Sequence, residues 1–307
     1  VEGAATPPRL EAFLELGRHP EHPEAGFNMT VLGLKLSGKC NAVSRRHGEV
    51  TRQMWQSLWP ERSAEEAPVS HVTNGVHLPT WLEPKMRLLF NRYLGDAWIK
   101  EHDNPAVWEF VEEIPDAELW RTHFWLKVKL LNYIRQLARR NWTRRRSSDL
   151  LPALGTMLDP SVLTIGFARR FATYKRADLV LHNLDRLKRL VNDSWRPIQI
   201  IFAGKAHPAD DEGKRLLQRV VRAARDPELY GRIAFVENYN EQLAQYLVHG
   251  VDVWLNTPTP PMEASGTSGM KAAINGVPNL SLPDGWWLEG ATPTNGWTID
   301  SGSEGAS

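Results

Sequence analysis

Beyond Pro160 the chain alternates between two textures. Short, nearly continuous apolar runs (VLTIGFA, PIQIIFAG, RIAFVEN, VDVWLN and PNLSL) are separated by stretches with helical periodicity, ADLVLHNLDRLKRLV, DEGKRLLQRVVRAAR and NEQLAQYLVHG. A run that is apolar at every position needs cover on both faces, and helices lying on either side of a sheet supply it. The repetition predicts an α/β fold with a doubly wound parallel sheet. Ligands of such sheets sit beyond the carboxyl ends of the strands, so the chemistry is expected just after each run.

Before Pro160 the reading is mostly helical. Proline-rich composition over residues 1–26 predicts irregular structure with one short helix over 9–16. Apolar spacing predicts two helices between 28 and 59, broken near Ser37 and Gly38, then a turn in HVTNGVHLPTW. Helices are expected across 80–146, the last starting near Pro115 and Asp116 and ending in RQLARRNWTRRR, whose cations suit a solvated helix C-terminus, with a nucleic-acid or glucan-phosphate patch as the other reading. With 307 residues the chain exceeds the usual size of one core. The opening Val1 and the Gly/Ser-rich close SGSEGAS suggest a segment of a longer polypeptide.

Charge excludes several classes of partner. The 37 basic and 36 acidic side chains leave no net field to attract nucleic acid or an anionic membrane, so any anion must be bound locally. One cysteine, Cys40, allows no internal disulfide and fits a reducing cytoplasm. No apolar run is long enough for a membrane span. A metal is not expected: no Cys/His spacing suits zinc, and His19 with His22 reads as a solvated loop. No G-x-G-x-x-G follows a strand, no G-x-S-x-G is present, and GLKLSGKC imitates a P-loop but ends in Cys40 where a hydroxyl is needed.

The strand ends carry the cations. ARRFATYKR follows the first run, KAHP the second, Tyr239 the third and EASGTSGMK the fourth, so Arg169, Arg170, Lys175, Lys205 and Lys271 are expected on one rim of the sheet, facing an anion. In EASGTSGMK the stretch from Ser265 to Gly269 can bend and aim main-chain amides at one point, with a helix beginning near Lys271. Such amides make a phosphate seat, and Thr267 and Ser268 add hydroxyls. A buried lysine there could condense with a carbonyl; a glycine-rich loop with a surface lysine is the other reading of the same residues.

EASGTSGMKAAING closely resembles the pyridoxal-phosphate motif of the α-glucan phosphorylases, and ARRFATYKRAD resembles their phosphate-binding segment. FNMTVLGLKLSGKCNAVSRRHGEV, TNGV, AGKAHP and VENYNEQLAQ match in the same order, so the resemblance covers about Phe27 to Trp297 and is nearest to the shorter bacterial and archaeal branch. It departs at Thr259 and Pro260, where that branch usually carries arginine, and at Leu288 and Ala291.

The resemblance implies a two-domain glycosyltransferase of the GT-B type. Residues 1–75 would end its N-terminal domain, and 76–307 would form a Rossmann-like cofactor domain with linking helices over 80–146. It implies that Lys271 holds pyridoxal 5′-phosphate covalently, with Gly266, Thr267, Ser268 and Arg169 around the cofactor phosphate and Tyr239 beside the ring. Arg170 and Lys175 would hold inorganic phosphate, and Glu263, Ser265 and Asn74 the glucosyl hydroxyls. The implied reaction is phosphorolysis of α-1,4-glucan to α-glucose 1-phosphate with retention, by a cytoplasmic homo-oligomer in its full-length form, this segment alone having little activity. A nucleotide-sugar glucosyltransferase of the glycogen or starch synthase type, or a non-catalytic glucan-binding segment, are the alternatives. Trp286 and Trp287 suit either sugar stacking or packing.

Overall fold

The computed structural model describes residues 8–145 and 152–299, apart from the side chains of 8, 141–145 and 152. The SGSEGAS close and the last arginines of the RQLARRNWTRRR run lie outside that description. The first part holds α1 (Pro8–Leu16), α2 (Met29–Leu36), β1 (Cys40–Ala42), α3 (Arg45–Met54) and β2 (Val69–His71). Next come α4 (Leu78–Trp81), α5 (Pro84–Leu94), α6 (Pro105–Glu109) and the long α7 (Asp116–Arg145). The expected helices are present. The parallel pair β1 and β2, three residues each, was not expected, because so short a pairing leaves no period to read.

The second part alternates as expected: β3 (Leu163–Ala168), α8 (Leu184–Val191), β4 (Ile198–Ala203), α9 (Asp211–Ala224), β5 (Ile233–Val236), α10 (Glu241–Gly250), β6 (Val253–Asn256), α11 (Ser268–Ala273), β7 (Asn279–Ser281), α12 (Trp287–Gly290) and β8 (Gly296–Thr298). The last six strands form one sheet in the order β5-β4-β3-β6-β7-β8, with every pairing parallel. Its sixth strand, β8, was missed because two of its three residues are exposed and it lacks an apolar run. The helix expected across ADLVLHNLDRLKRLV is confined to its second half. Asn183 takes the N-cap, accepting from Arg186 N at 2.9 Å, so α8 begins after it.

Strand register explains why both faces are apolar. Phe167, Phe202 and Phe235 are aligned across β3, β4 and β5, and pack on the face covered by α8 and α9. One residue along, Ala168, Ala203 and Val236 form the neighbouring row on the opposite face, where small side chains let α7 and α10 approach closely. A separate apolar cluster of Leu78, Leu82, Met86, Phe90, Trp98 and Leu126 joins α4 and α5 to the start of α7. Trp287 is 2% exposed and Trp286 packs edge-on against it, 5.4 Å between ring centres, so this pair serves packing.

At the amino ends of the strands, α7 is fixed by buried charge. Asp252 accepts from His123 Nε2 at 2.8 Å, from Lys127 Nζ at 2.5 Å and from Thr164 N at 2.6 Å, while Lys127 also reaches Val162 O at 2.7 Å. Among the described residues no helix is long and apolar enough to cross a membrane.

Candidate active site

Strand order reverses between β3 and β6: β4 and β5 lie to one side of β3, and β7 and β8 lie beyond β6. The chain therefore leaves these two adjacent strands in opposite directions, and their carboxyl ends open a crevice. A cavity of about 430 Å³ occupies it, lined by residues 168–170, 174–175 and 263–268 together with Val43 and Asn74.

The loop after β3 is held from two directions. Arg169 N donates to Ala203 O at 3.2 Å, and a Cβ on Gly204, at φ +153°, would fall 2.0 Å from Arg169 O. Only glycine lets the end of β4 pass there. Arg176, at φ 46°, donates through Nε to Thr257 O at 3.1 Å and through Nη2 to Pro258 O at 2.8 Å, and Thr259 N donates to Tyr174 O at 2.7 Å. These bonds lock the turn carrying Lys175 to the loop carrying Glu263.

Inside the crevice the charges pair. One carboxylate oxygen of Glu263 accepts from both Arg169 Nη2 and Lys175 Nζ. All three residues are buried, with Arg169, Lys175 and Glu263 at 7%, 8% and 8% exposure, whereas Arg170 is exposed at the rim. Burial pushes Lys175 down to about 8, and the adjacent Arg169 guanidinium adds to this, against the opposing pull of Glu263. Two buried cations share one carboxylate, so the cluster keeps a positive charge. Among the described residues, Arg169 Nη1 and Ser265 Oγ, both buried, have no hydrogen-bond partner. Unpaired buried donors are costly, and here both line a cavity.

The 263–268 segment bends at Gly266, φ +81°, and enters α11 at Ser268, three residues earlier than expected. Thr267 takes the N-cap position without a side-chain cap bond, which leaves its hydroxyl free of that duty. Ser268 Oγ accepts from Trp254 Nε1 at 3.2 Å and keeps its own proton to donate. Glu263 N donates to Asp284 Oδ2 at 2.8 Å, and burial raises Asp284 above the ordinary aspartate range. Neighbours of the lining residues Val43 and Asn74 fasten the first part here: Ser44 Oγ donates to Ala264 O at 2.6 Å, and Thr73 Oγ1 to Glu289 Oε2 at 2.8 Å.

Lys271 stands apart from the cavity lining. Its side chain is half-buried, and its ammonium lies 3.7 Å from the centre of the Trp81 ring. Burial lowers its pKa, Glu241 opposing. A lysine with a lowered pKa offers more free amine to an aldehyde near neutral pH. Tyr239, half-buried, packs on the same core cluster as Trp81 and Ala272, and burial raises its pKa. Lys205, expected with the other cations, is exposed and not among the lining residues; its carbonyl instead accepts from Phe171 N at 2.9 Å.

Sequence reasoning passed over Trp81, Asp284 and Arg176. Trp81 stood in the quoted HVTNGVHLPTW turn, but nothing in its spacing places it against a lysine 190 residues later. Arg176 looked like one more cation of the YKR run, and only its bonds to the 257–258 carbonyls mark it as a brace.

The carbohydrate phosphorylase family model matches residues 14–292. A glycogen phosphorylase of Aquifex aeolicus is 53% identical over 291 residues, 94% of this chain and 42% of that protein. A maltodextrin phosphorylase of Thermococcus litoralis is 46% identical over 94% of this chain and 34% of its own length. A glycogen phosphorylase of Mycobacterium tuberculosis is 46% identical over 96% of this chain and 34% of its own length. The chain thus spans well under half the length of these relatives. Since nearly every described residue, from the α1 helix to the β8 approach, falls within the matched region, the chain belongs to the carbohydrate phosphorylase family.

Proposed function

We propose that this chain supplies the cofactor- and phosphate-binding part of an α-glucan phosphorylase, a glycosyltransferase that moves the terminal α-1,4-linked glucosyl unit of a glucan to inorganic phosphate. One observation carries the reading. A buried, net-positive trio of Arg169, Lys175 and Glu263, with Arg169 Nη1 and Ser265 Oγ unpartnered, sits at the switch point of the sheet.

Pyridoxal 5′-phosphate suits this donor set. Lys271 would hold its aldehyde carbon, Arg169, Gly266, Thr267 and Ser268 its phosphate, and Tyr239 would flank the ring. The amine is half-buried with a lowered pKa, and the unpartnered Arg169 Nη1 is a donor without an acceptor. When bound, the cofactor supplies a phosphate group that exchanges a proton with inorganic phosphate.

The chain's own residues do the rest. Arg170 and Lys175 hold inorganic phosphate against a second phosphate group, and their charge offsets the repulsion, which favours a proton shared between the two. Inorganic phosphate gives that proton to the glycosidic oxygen as the C–O bond breaks. One of its oxygens then bonds the anomeric carbon on the same face, giving α-glucose 1-phosphate with retention. Glu263, Ser265 and Asn74 orient the glucosyl hydroxyls. With phosphate as acid and nucleophile, the carboxylate pair of ordinary glycosidases is dispensable.

In this reading residues 1–75 close an N-terminal domain, and 76–307 form the Rossmann-like second domain of a GT-B glycosyltransferase. The full-length protein works in the cytoplasm as a homo-oligomer, independent of nucleic acid, metal or membrane, and this chain alone yields little glucose 1-phosphate. The test is borohydride reduction of the protein purified with pyridoxal phosphate, followed by peptide mapping. Pyridoxyl mass on the Lys271 peptide and glucose 1-phosphate release by the full-length protein are the expected results. An unlabelled Lys271 peptide overturns the proposal in favour of nucleotide-sugar transfer, and glucan affinity without any cofactor absorbance overturns it in favour of a binding segment.

A further inference from the structure

Glu263 occupies an unusual position for a sugar-binding carboxylate. One of its two carboxylate oxygens, Oε2, is taken up by two cations, Arg169 Nη2 and Lys175 Nζ, in a site where all three residues are buried. The two cations are not equivalent. Arg169 keeps a second nitrogen, Nη1, buried and without a partner, so it can accept a further anion while still paired with Glu263. The only carboxylate paired with the Lys175 ammonium, among the described residues, is Glu263; beyond it lies the face of the Tyr174 ring, 4.5 Å to the centre. An anion arriving at Lys175 finds further N–H donors on the ammonium but shares that one small cation with the Glu263 carboxylate, and two anions so close repel, whereas one arriving at Arg169 Nη1 is held on a separate nitrogen.

We propose that Glu263 is a displaceable counter-ion: it neutralises Lys175 in the anion-free site, and inorganic phosphate takes that ammonium over and releases the carboxylate to accept hydrogen bonds from the glucosyl unit. The inference rests on the phosphorylase reading and adds a coupling to it. Phosphate and glucan then assist each other's binding, because the exchange that seats one anion frees the acceptor for the sugar, and such coupling is reciprocal. Without phosphate Oε2 is shared by two cations, so a glucan end meets a carboxylate whose charge is already neutralised. Buried-charge energetics favour an exchange over a simple release, since a carboxylate leaving Lys175 with nothing in its place would strand a desolvated ammonium.

The experiment uses the full-length protein loaded with pyridoxal phosphate, with inorganic sulfate as an unreactive mimic of phosphate and maltopentaose as the glucan. Calorimetric titration of each ligand, with and without the other, gives the coupling factor. In the wild type, saturating sulfate should tighten maltopentaose about tenfold, and maltopentaose should tighten sulfate by the same factor. In Glu263→Gln, sulfate alone should bind several-fold tighter than in the wild type, and the coupling factor should fall towards one. A wild-type coupling factor of one overturns the proposal whether or not the variant folds, as does weaker sulfate binding in a folded Glu263→Gln. Cofactor absorbance and borohydride labelling at Lys271, recorded on the same preparations, report on the phosphorylase reading separately.

Discussion

Asn275 donates through one amide nitrogen to the main-chain carbonyls of both Trp81 and Lys271, 2.8 Å to each. The two residues are 190 positions apart, yet their spacing is set by a single fully buried side chain, which also accepts from Glu83 N at 2.9 Å. The ring–ammonium contact at the candidate cofactor lysine is thus a consequence of backbone placement.

Asn275→Ala would leave Glu83 N and Lys271 O without these partners, while Trp81 O keeps His249 Nε2 at 3.0 Å. A stranded buried polar group costs roughly 1–3 kcal/mol, and partial relaxation makes the sum sub-additive, so about 3–4 kcal/mol is expected. Urea denaturation with an unchanged slope would record it. A loss below about 1 kcal/mol would mean that the Glu83 and Lys271 segments find other partners.

Lys271 carries a half-buried charge with no carboxylate hydrogen-bonded to it among the described residues, a position suited to chemistry and poor for stability. Lys271→Met keeps a flexible apolar chain against Trp81 and removes that charge. The melting temperature should hold or rise by about 2 °C, as stability–function trade-offs of roughly 1 kcal/mol do in domains of this size, while cofactor absorbance disappears. Thermal scans and absorbance spectra of the same samples check both halves.

Lys175 sets a pH limit on anion binding. Its ammonium titrates near 8, so sulfate affinity should fall as pH rises from 7 to 9.5, whereas an ordinary lysine would hold its charge across that range. Lys175→Arg should bind sulfate with little change over the same interval. The linkage to folding has the opposite sense. The folded state releases this proton at lower pH than the unfolded chain, so this group makes stability rise between about 8 and the ordinary lysine range.

Asp252 acts in the same sense on the acid side. Burial alone would raise it, but hydrogen bonds from His123 and Lys127 and the Thr164 amide outweigh burial and hold it below the ordinary aspartate range. Its contribution is complete above the unfolded value and is lost as pH falls through the lowered folded one. Asp252→Asn should cost about 3–5 kcal/mol, because Lys127 would be left buried and unpaired, and should flatten this acid-side dependence. Chemical denaturation at pH 7 and pH 3.5 compares the two.

Much of this architecture could be read along the chain because its strands are covered on both faces. Runs such as PIQIIFAG have one explanation in a folded protein, and their ends point to the ligand. Periodic helices were equally plain, as in NEQLAQYLVHG, which forms α10, whereas the Asn183 cap that delays the start of α8 was not. What escaped were features with no local signal. The three-residue strands β1, β2 and β8 have too few positions to show a period. The approach of Trp81 to Lys271 and the bracing of the 257–259 loop by Arg176 are long-range contacts that spacing does not encode. Lys205 shows the converse error, since a cation placed after a strand need not turn its side chain towards the crevice.

The charged knot of His123, Lys127 and Asp252 lies at the end of the sheet away from the candidate chemistry. Scaffold integrity and reactivity are thereby assigned to opposite rims of one sheet, joined only through apolar strands. Descendants of such a chain are free to rewrite the 169–176 and 257–268 loops, altering what is bound, without loosening the fastening that keeps the long helix in place.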